Sequence, residues 1–516
     1  MWAKVTSIGL KGMEGYRLNV EVSTRVGADS FKIVGLPDAA VKEARERIIA
    51  ALGTLGYVMN GQKIIINLSP SDQKKIGSMF DLSMAIGVLS SLHELEVIIP
   101  EDTGFIGALS LDGAIQSVQG MLAAVLAAKK IGIRKLYLPF DEKLPSLDVL
   151  GLELIYVESL QDVIGHLSGQ WSPPSFFKKK QEEVRCTEYP DFQQIIGHSR
   201  AKYALEVAGA GEHHVLMTGP PGCGKSLLAW SFPSILPGLS KEFRLEVMSL
   251  YQLAHVSQPE TYFPPFRNPH HSASGISIIG GGQYPKPGEI SLAHRGVLFL
   301  DEVGEFSKKT LDMLRQPLET GLITISRTHA TITYSASFIM VAAMNPCPCG
   351  YAGDNAHYCT CSKKQILAYQ NKLSGPLRDR FDIHLSLKSV DLRTAGEDGV
   401  ENESSCVVRQ RVEEARKRQY DRYGREICNG RVPYNELMKT TPLTQGQQNA
   451  LQQHLYKKGW SSRTQIKIIR LARTINDLRG ENAITDASLW QAIKLNSLAV
   501  SAVSSTVSGT IRGQIR

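Results

Sequence analysis

At 516 residues, and with roughly 100–200 residues per domain, the chain holds two to four domains that each close a core, which excludes a peptide or a small disulfide-dependent scaffold. Hydrophobic residues make up 42% and charged residues 21%; no stretch approaches the ~18 apolar residues of a membrane span, and Met1–Gly12 lacks an export signal, so a soluble cytoplasmic protein without a membrane partner is expected. The net charge is +8, but residues 401–516 carry 19 Lys and Arg against 10 Asp and Glu, so the basicity is C-terminal and fits either a polyanionic partner or a solvated arginine-rich helical face.

In chain order, the apolar runs Phe31–Leu36 and Lys63–Leu68 predict strands, and the periodicity of Asp38–Gly53 and Gly120–Lys130 predicts helices, giving an α/β domain over residues 1–166. Gly169–Glu183, with paired prolines and a lysine run, reads as part of a linker over 167–190. From 191 to 390 strand-like runs (Val215–Thr218, Gly296–Leu300, Phe338–Ala343) alternate with helical stretches, as in a parallel sheet covered by helices. After the polar connector Asp391–Ser405, residues 391–516 read as a helical lid with helices at Val407–Tyr423, Thr444–Lys458, Ser462–Arg479 and Asp486–Ser501.

Between strand Val215–Thr218 and a helical stretch lies Gly219-Pro220-Pro221-Gly222-Cys223-Gly224-Lys225-Ser226. This matches the phosphate loop G-x-x-x-x-G-K-[ST], whose glycines let consecutive N–H groups turn toward phosphates. Lys225 then reaches the β- and γ-phosphates of ATP, and Ser226 holds Mg²⁺. The buried run Val297–Leu300 ends in Asp301-Glu302, carried to the same sheet edge: Asp301 orients the Mg²⁺ shell, and Glu302 polarises the attacking water as general base. Phe338–Ala343 leads to Asn345, which reads either as a contact to the γ-phosphate or the water, or as a turn residue. The paired cysteines Cys347/Cys349 and Cys359/Cys361 read either as four thiolates for a structural Zn²⁺, with His357 as an alternative ligand, or as free or redox-active thiols.

These motifs, with Leu377-Arg378-Asp379-Arg380-Phe381-Asp382, resemble an AAA+ ATPase of the magnesium-chelatase and minichromosome-maintenance branch. Val34-Gly-Leu-Pro-Asp38, Asn67–Ser71, Phe80–Leu82, Pro269–Ser272, Gly280–Gly282, Pro287–His294 and Asn345–Gly350 resemble the YifB/ComM family of magnesium-chelatase-like ATPases from end to end. The resemblance implies a ring, usually a hexamer of identical subunits, in which Arg380 is the finger completing a neighbour's site, with Arg378 as the alternative. It implies a second sensor arginine in the lid at Arg463, with Arg470 and Arg473 as alternatives, and an adenine contact at Ile196. It also implies a hairpin within Thr320–Tyr334 aimed at the ring's pore, where Arg327 and His329 would touch single-stranded or branched DNA. His270 and His271, in the Pro264–His294 insertion, read as a metal or nucleic-acid contact or as loop histidines.

Residues 1–166 resemble the domain that carries peptidase activity in Lon-type proteases, through Gly107–Gly113 and Val118–Gly120. The chain departs where the catalytic lysine belongs, reading Met121–Ala124, and Ser78 has no evident base, so a non-proteolytic assembly or DNA-contact module is expected. The resulting expectation is an ATPase moving DNA strands by helicase or branch-migration action in recombination or natural transformation. Its alternatives are a chelatase-type ATPase remodelling a protein partner, and an ATP-dependent protease.

Overall fold

The computed structural model describes residues 1–95, 97–141, 151–170, 189–256, 262–282, 285–327, 330–354, 357–389 and 402–497. These divide into two compact units: one gathers described residues within Met1–Glu183, Arg244–Gln258 and Ala330–Tyr334, the other those within Val184–Phe243, Pro259–His329 and Ser335–Arg516. No helix among them is long and apolar enough to cross a membrane.

The first unit is built on a seven-stranded sheet in the order Ser30–Val34, Gln62–Ser69, Glu14–Val26, Trp2–Lys11, Thr103–Phe105, Lys135–Pro139, Glu153–Val157. Its two long N-terminal strands pair antiparallel from Trp2–Ser23 to Lys11–Glu14. No apolar run announces them: in Glu14–Val26 alternate residues such as Leu18, Val20 and Val22 face the core, and in Trp2–Lys11 the buried stretch Val5–Gly9 includes the polar Thr6 and Ser7. The expected strands occupy Ser30–Val34 and Gln62–Ser69, which pair in parallel, and the expected helices run Ala39–Thr54 and Met121–Lys130. The Val34–Asp38 motif is structural in this fold. Asp38 caps the helix by accepting the Val41 N–H at 2.8 Å and also accepts Gly77 N–H at 3.1 Å. Gly35 has φ +101°, and a Cβ there would lie 2.3 Å from the Leu68 carbonyl oxygen, so only glycine fits.

Residues 244–256 belong to this unit because their helix meets Met121–Lys130: Leu122 N–H donates to Gln252 Oε1 at 3.1 Å. Asp81, fully buried, accepts Arg47 Nε at 2.7 Å and Nη2 at 3.1 Å. Burial pushes the Asp81 carboxyl up, and Arg47 pulls it back toward the charged form.

In the second unit five strands run in the order Phe266–Arg267, Val297–Leu300, Ile339–Met344, Val215–Thr218, Ile383–Ser386, all parallel. Val297–Leu300 and Ile339–Met344 are buried along their whole length, as expected of strands covered on both faces. One apolar core runs from Phe192 through Val341 to Leu495, so the C-terminal helices share it with the sheet. These helices are Ser405–Tyr423, Tyr434–Thr440, Gln445–Lys458, Ser462–Arg479 and Asp486–Ser497. Thr444 and Ser461 cap the third and fourth by accepting N–H groups of Gln447 and Thr464.

The C-terminal arginines are largely internal ties. Arg411 holds Glu206 at 2.6 Å and Glu403 at 2.7 Å, Arg416 donates to the Gly209 carbonyl at 2.7 Å, and Arg422 and Arg473 share Asp477. These four arginines thus serve cohesion of this unit. Arg47→Met leaves the Asp81 carboxylate buried without a cation, and a loss of about 3 kcal/mol of stability is expected, measured by urea unfolding of the full chain.

Candidate functional site

Strand Val215–Thr218 runs directly into the phosphate loop, and Gly219 N–H donates to the Met344 carbonyl at 3.3 Å, locking the loop to the neighbouring strand. Gly222 and Gly224 have φ of +75° and +83°, and a Cβ at Gly222 would meet nothing within 4 Å. The loop therefore has the conformation, and at Gly222 the open space, that a phosphate cradle requires. The Lys225 ammonium donates to the carbonyls of Gly219 and Pro220 at 2.7 Å each and to Asn345 Oδ1 at 3.1 Å. Burial pushes the Lys225 pKa down, which the nearby Cys223, Asp301 and Glu302 oppose.

Ser226 Oγ donates to Asp301 Oδ2 at 2.8 Å. A hydroxyl and a carboxylate in contact form the oxygen donor set that suits Mg²⁺, so the residues present fit the cation the motif implies. Asp301 Oδ1 accepts the Glu302 N–H at 2.9 Å, and Glu302 stands in the left-handed region at φ +47°. That conformation costs a non-glycine residue of order 1 kcal/mol and turns the glutamate out of the strand, leaving its side chain 53% exposed. Its Oε2 lies 3.7 Å from His271 Nδ1, while His270 stacks against His271 at 4.1 Å. His271 thus faces an acid, and His270 Nδ1 lies 2.7 Å from Ser272 Oγ. The adenine candidate Ile196 is 48% exposed beside buried Ile195. His198 carries no motif signal yet contacts the Cys223 backbone, and burial lowers its pKa.

The predicted arginines separate by environment. Arg380 and Arg463 converge on one acid, Glu319: Arg380 Nη2 donates to Oε2 at 2.7 Å, and Arg463 Nη2 lies 3.6 Å from Oε1. Arg378 is bound to the Gln370 carbonyl at 2.7 Å. Arg470 donates to the Val432 carbonyl at 2.5 Å, and Arg473 is buried against Asp477 and the carbonyls of Glu481 and Asn482. Lys467, one turn beyond Arg463 on the same helix face, donates to the Asp379 carbonyl, to Asp379 Oδ1 at 3.4 Å and to the Phe381 carbonyl at 3.1 Å, bracketing Arg380. Neither Glu319 nor Lys467 carries a sequence signal, since each acts through a partner distant in the chain.

The four cysteines come together, every Sγ within 4.8 Å of the others. His357 instead pairs with Asp354 at 2.9 Å, so the thiol set is complete without it. The region of the expected hairpin holds the strand Leu322–Arg327. Arg327 is exposed at its end and lines a cleft of about 820 Å³ with His271, Lys309 and Thr310; His329 lies outside the described residues. Lys75, three residues before Ser78, is buried, and its side chain donates to the Pro70 and Gln73 carbonyls, while burial pushes its pKa down and Asp72 opposes that shift.

A parallel sheet whose adjacent strand ends present a phosphate loop, a hydroxyl–carboxylate pair and an amide defines a P-loop protein of the AAA+ class. The family described as "Magnesium chelatase, subunit ChlI" matches residues 191–395; the ChlI description also matches 20–142, and its C-terminal counterpart 402–496. The chain is 37% identical over 489 residues to YifB of Escherichia coli (strain K12), covering 94% of this chain and 95% of that one. It is 38% identical over 500 residues to the competence protein ComM of Haemophilus influenzae, covering 95% and 96%. A weaker similarity, 25% over 170 residues and 30% of each chain, links it to Lon protease 2 of Bacillus subtilis. The chain belongs to the YifB/ComM family of magnesium-chelatase-like AAA+ ATPases.

Two buried histidines, His214 and His384, are expected to make this unit sensitive to acid. His214 Nδ1 accepts the Met340 N–H at 3.0 Å, and burial drives its pKa down to about 3; burial likewise takes His384 down to about 4. Burial pushes Asp382 up, but His213 and Lys467 outweigh it and hold the carboxyl well below the usual range. Between pH ~6.5 and ~4 the unfolded chain binds protons that folded His214 and His384 refuse, so stability falls as pH falls. Urea unfolding is expected to show at least about 2 kcal/mol less stability at pH 5 than at pH 7.5, with His384→Leu flattening that dependence.

Proposed function

We propose that the protein is a ring-forming motor, a homohexamer, that uses ATP with Mg²⁺ as its fuel and moves DNA strands.

ATP hydrolysis is supported by one observation above the rest: Ser226 meets Asp301 at 2.8 Å while Lys225 meets Asn345 at 3.1 Å, so three strand ends converge on one phosphate position. When bound, Mg²⁺ neutralises charge on the transferred phosphoryl group. Lys225 exchanges its carbonyl partners for phosphate oxygens, Asn345 orients the attacking water, and Glu302 takes its proton. Arg380 of one subunit, released from Glu319, faces the phosphates of the next, and Arg463 adds a second guanidinium. Ile196 packs on the adenine. The four thiols hold a structural Zn²⁺.

DNA as the substrate is supported by the name of the competence relative, which spans nearly the whole chain, and by the cation Arg327 at the end of the exposed hairpin strand. The paired C-terminal arginines lend this reading no weight. The Lon-like likeness covers 30% of the chain, and Lys75, spent on two carbonyls, is no base for Ser78.

The test is ATP turnover of the purified protein with and without single-stranded DNA across a salt series. Stimulation by DNA that fades as salt rises is expected. Turnover indifferent to DNA at low salt but raised by a protein partner sinks the motor reading in favour of a chelatase-type remodeller. In the same assay, Glu302→Gln is expected to keep nucleotide binding while turnover drops at least about 100-fold, and Lys225→Ala to lose nucleotide binding. Arg380→Ala is expected to assemble and bind nucleotide yet lose about 1,000-fold in turnover.

A further inference from the structure

Cys347 lies two residues beyond Asn345, and the Sγ atoms of Cys347, Cys349 and Cys359 stand 3.3, 3.5 and 3.7 Å apart, with Cys361 completing the group. These separations exceed the ~2.05 Å of a disulfide. They approach the edge of about 3.8 Å that follows for a tetrahedron of sulfurs ~2.3 Å from a central ion. Ala352 N–H donates to Cys347 Sγ at 3.3 Å, the kind of outer contact that orients a thiolate ligand. Apart from Cys347 and Gly350, the described residues from 348 to 361 are half-buried or exposed, so no apolar core holds this segment.

The same segment touches the phosphate loop. Gly350, at φ +88°, sits so close to Pro221 that a Cβ would fall 2.6 Å from its ring carbons. On the other side, Gln370 donates to the Pro346 carbonyl at 3.0 Å. The thiol cluster is thus the far anchor of a strap that starts at Asn345, crosses Pro221 and leads to the helix Lys363–Gln370.

We infer that a thiophilic divalent cation of the zinc class, held by Cys347, Cys349, Cys359 and Cys361, fixes Asn345 and the phosphate loop, so that occupancy of the thiol site sets the affinity for nucleotide. This rests on reading Gly219–Ser226 as the nucleotide site and the thiols as a zinc site. Binding converts four thiols to four thiolates on one ion, and the four protons pass to water. Without the ion, the segment that carries Gly350 is left to hydrogen bonds such as Gly350 N–H to the Cys347 carbonyl and Gln370 to the Pro346 carbonyl, each 3.0 Å.

The experiment uses the full chain. Zinc is counted by plasma mass spectrometry, and the affinity for a fluorescent ATP analogue is measured before zinc removal, after removal with a thiol-reactive mercurial followed by thiol reductant and chelator, and after Zn²⁺ is added back, with Mg²⁺ restored throughout. One zinc per chain is expected, with affinity falling at least about 10-fold on removal and returning on reloading. Gly350→Ala is expected to keep its zinc yet bind nucleotide more weakly, a result that loss of the thiol site cannot produce. A chain purified without zinc that takes up none overturns the site. Zinc-loaded and zinc-free chains that bind nucleotide equally well overturn the coupling alone. A zinc-loaded chain that binds no nucleotide overturns the phosphate-loop reading, and the coupling with it.

Discussion

The second unit is organised around the desolvation of one ammonium. Lys225 is buried, and its three donors are matched by two loop carbonyls and the Asn345 amide oxygen. A buried cation without acceptors would be untenable, so the loop must curl back on its own lysine and the neighbouring strand must end where an amide is in reach. Adjacent strand ends and the left-handed glycines follow from that requirement. The same acceptors are neutral, which lets an anionic ligand displace them at modest cost.

Glu319 gives the site a second organising charge. It sits at the end of a short helix and receives Arg380 from the sheet side and Arg463 from the C-terminal helices. Lys467 fastens the backbone on both sides of Arg380 to the helix that bears Arg463. The two guanidiniums therefore belong to one mechanical piece, and a displacement of Ser462–Arg479 carries both of them.

The phosphate loop and the acidic pair were legible in the sequence because their chemistry fixes residue types at short spacing, as in Gly219–Ser226 and Asp301-Glu302. The thiol cluster was legible as a count, whereas the exclusion of His357 needed its contact with Asp354. Contacts between residues distant in the chain left no mark: Arg47 with Asp81, Arg380 with Glu319, and Gln252 with Leu122 are invisible to periodicity, which reports the buried face of an element but not what covers it. The strands Trp2–Lys11 and Glu14–Val26 carry no continuous apolar run, since polar residues interrupt the first and alternate with apolar ones in the second.

The arginine ties of the C-terminal helices bear on how the isoelectric point should be understood. Arg411, Arg416, Arg422 and Arg473 already hold carboxylates or carbonyls of their own chain, so few mobile anions surround them in solution. Attraction to a polyanion draws much of its free energy from setting such anions and their counterparts loose. These four arginines therefore add less to contact with a polyanion than a count of basic residues, or a pI near 8.9, suggests.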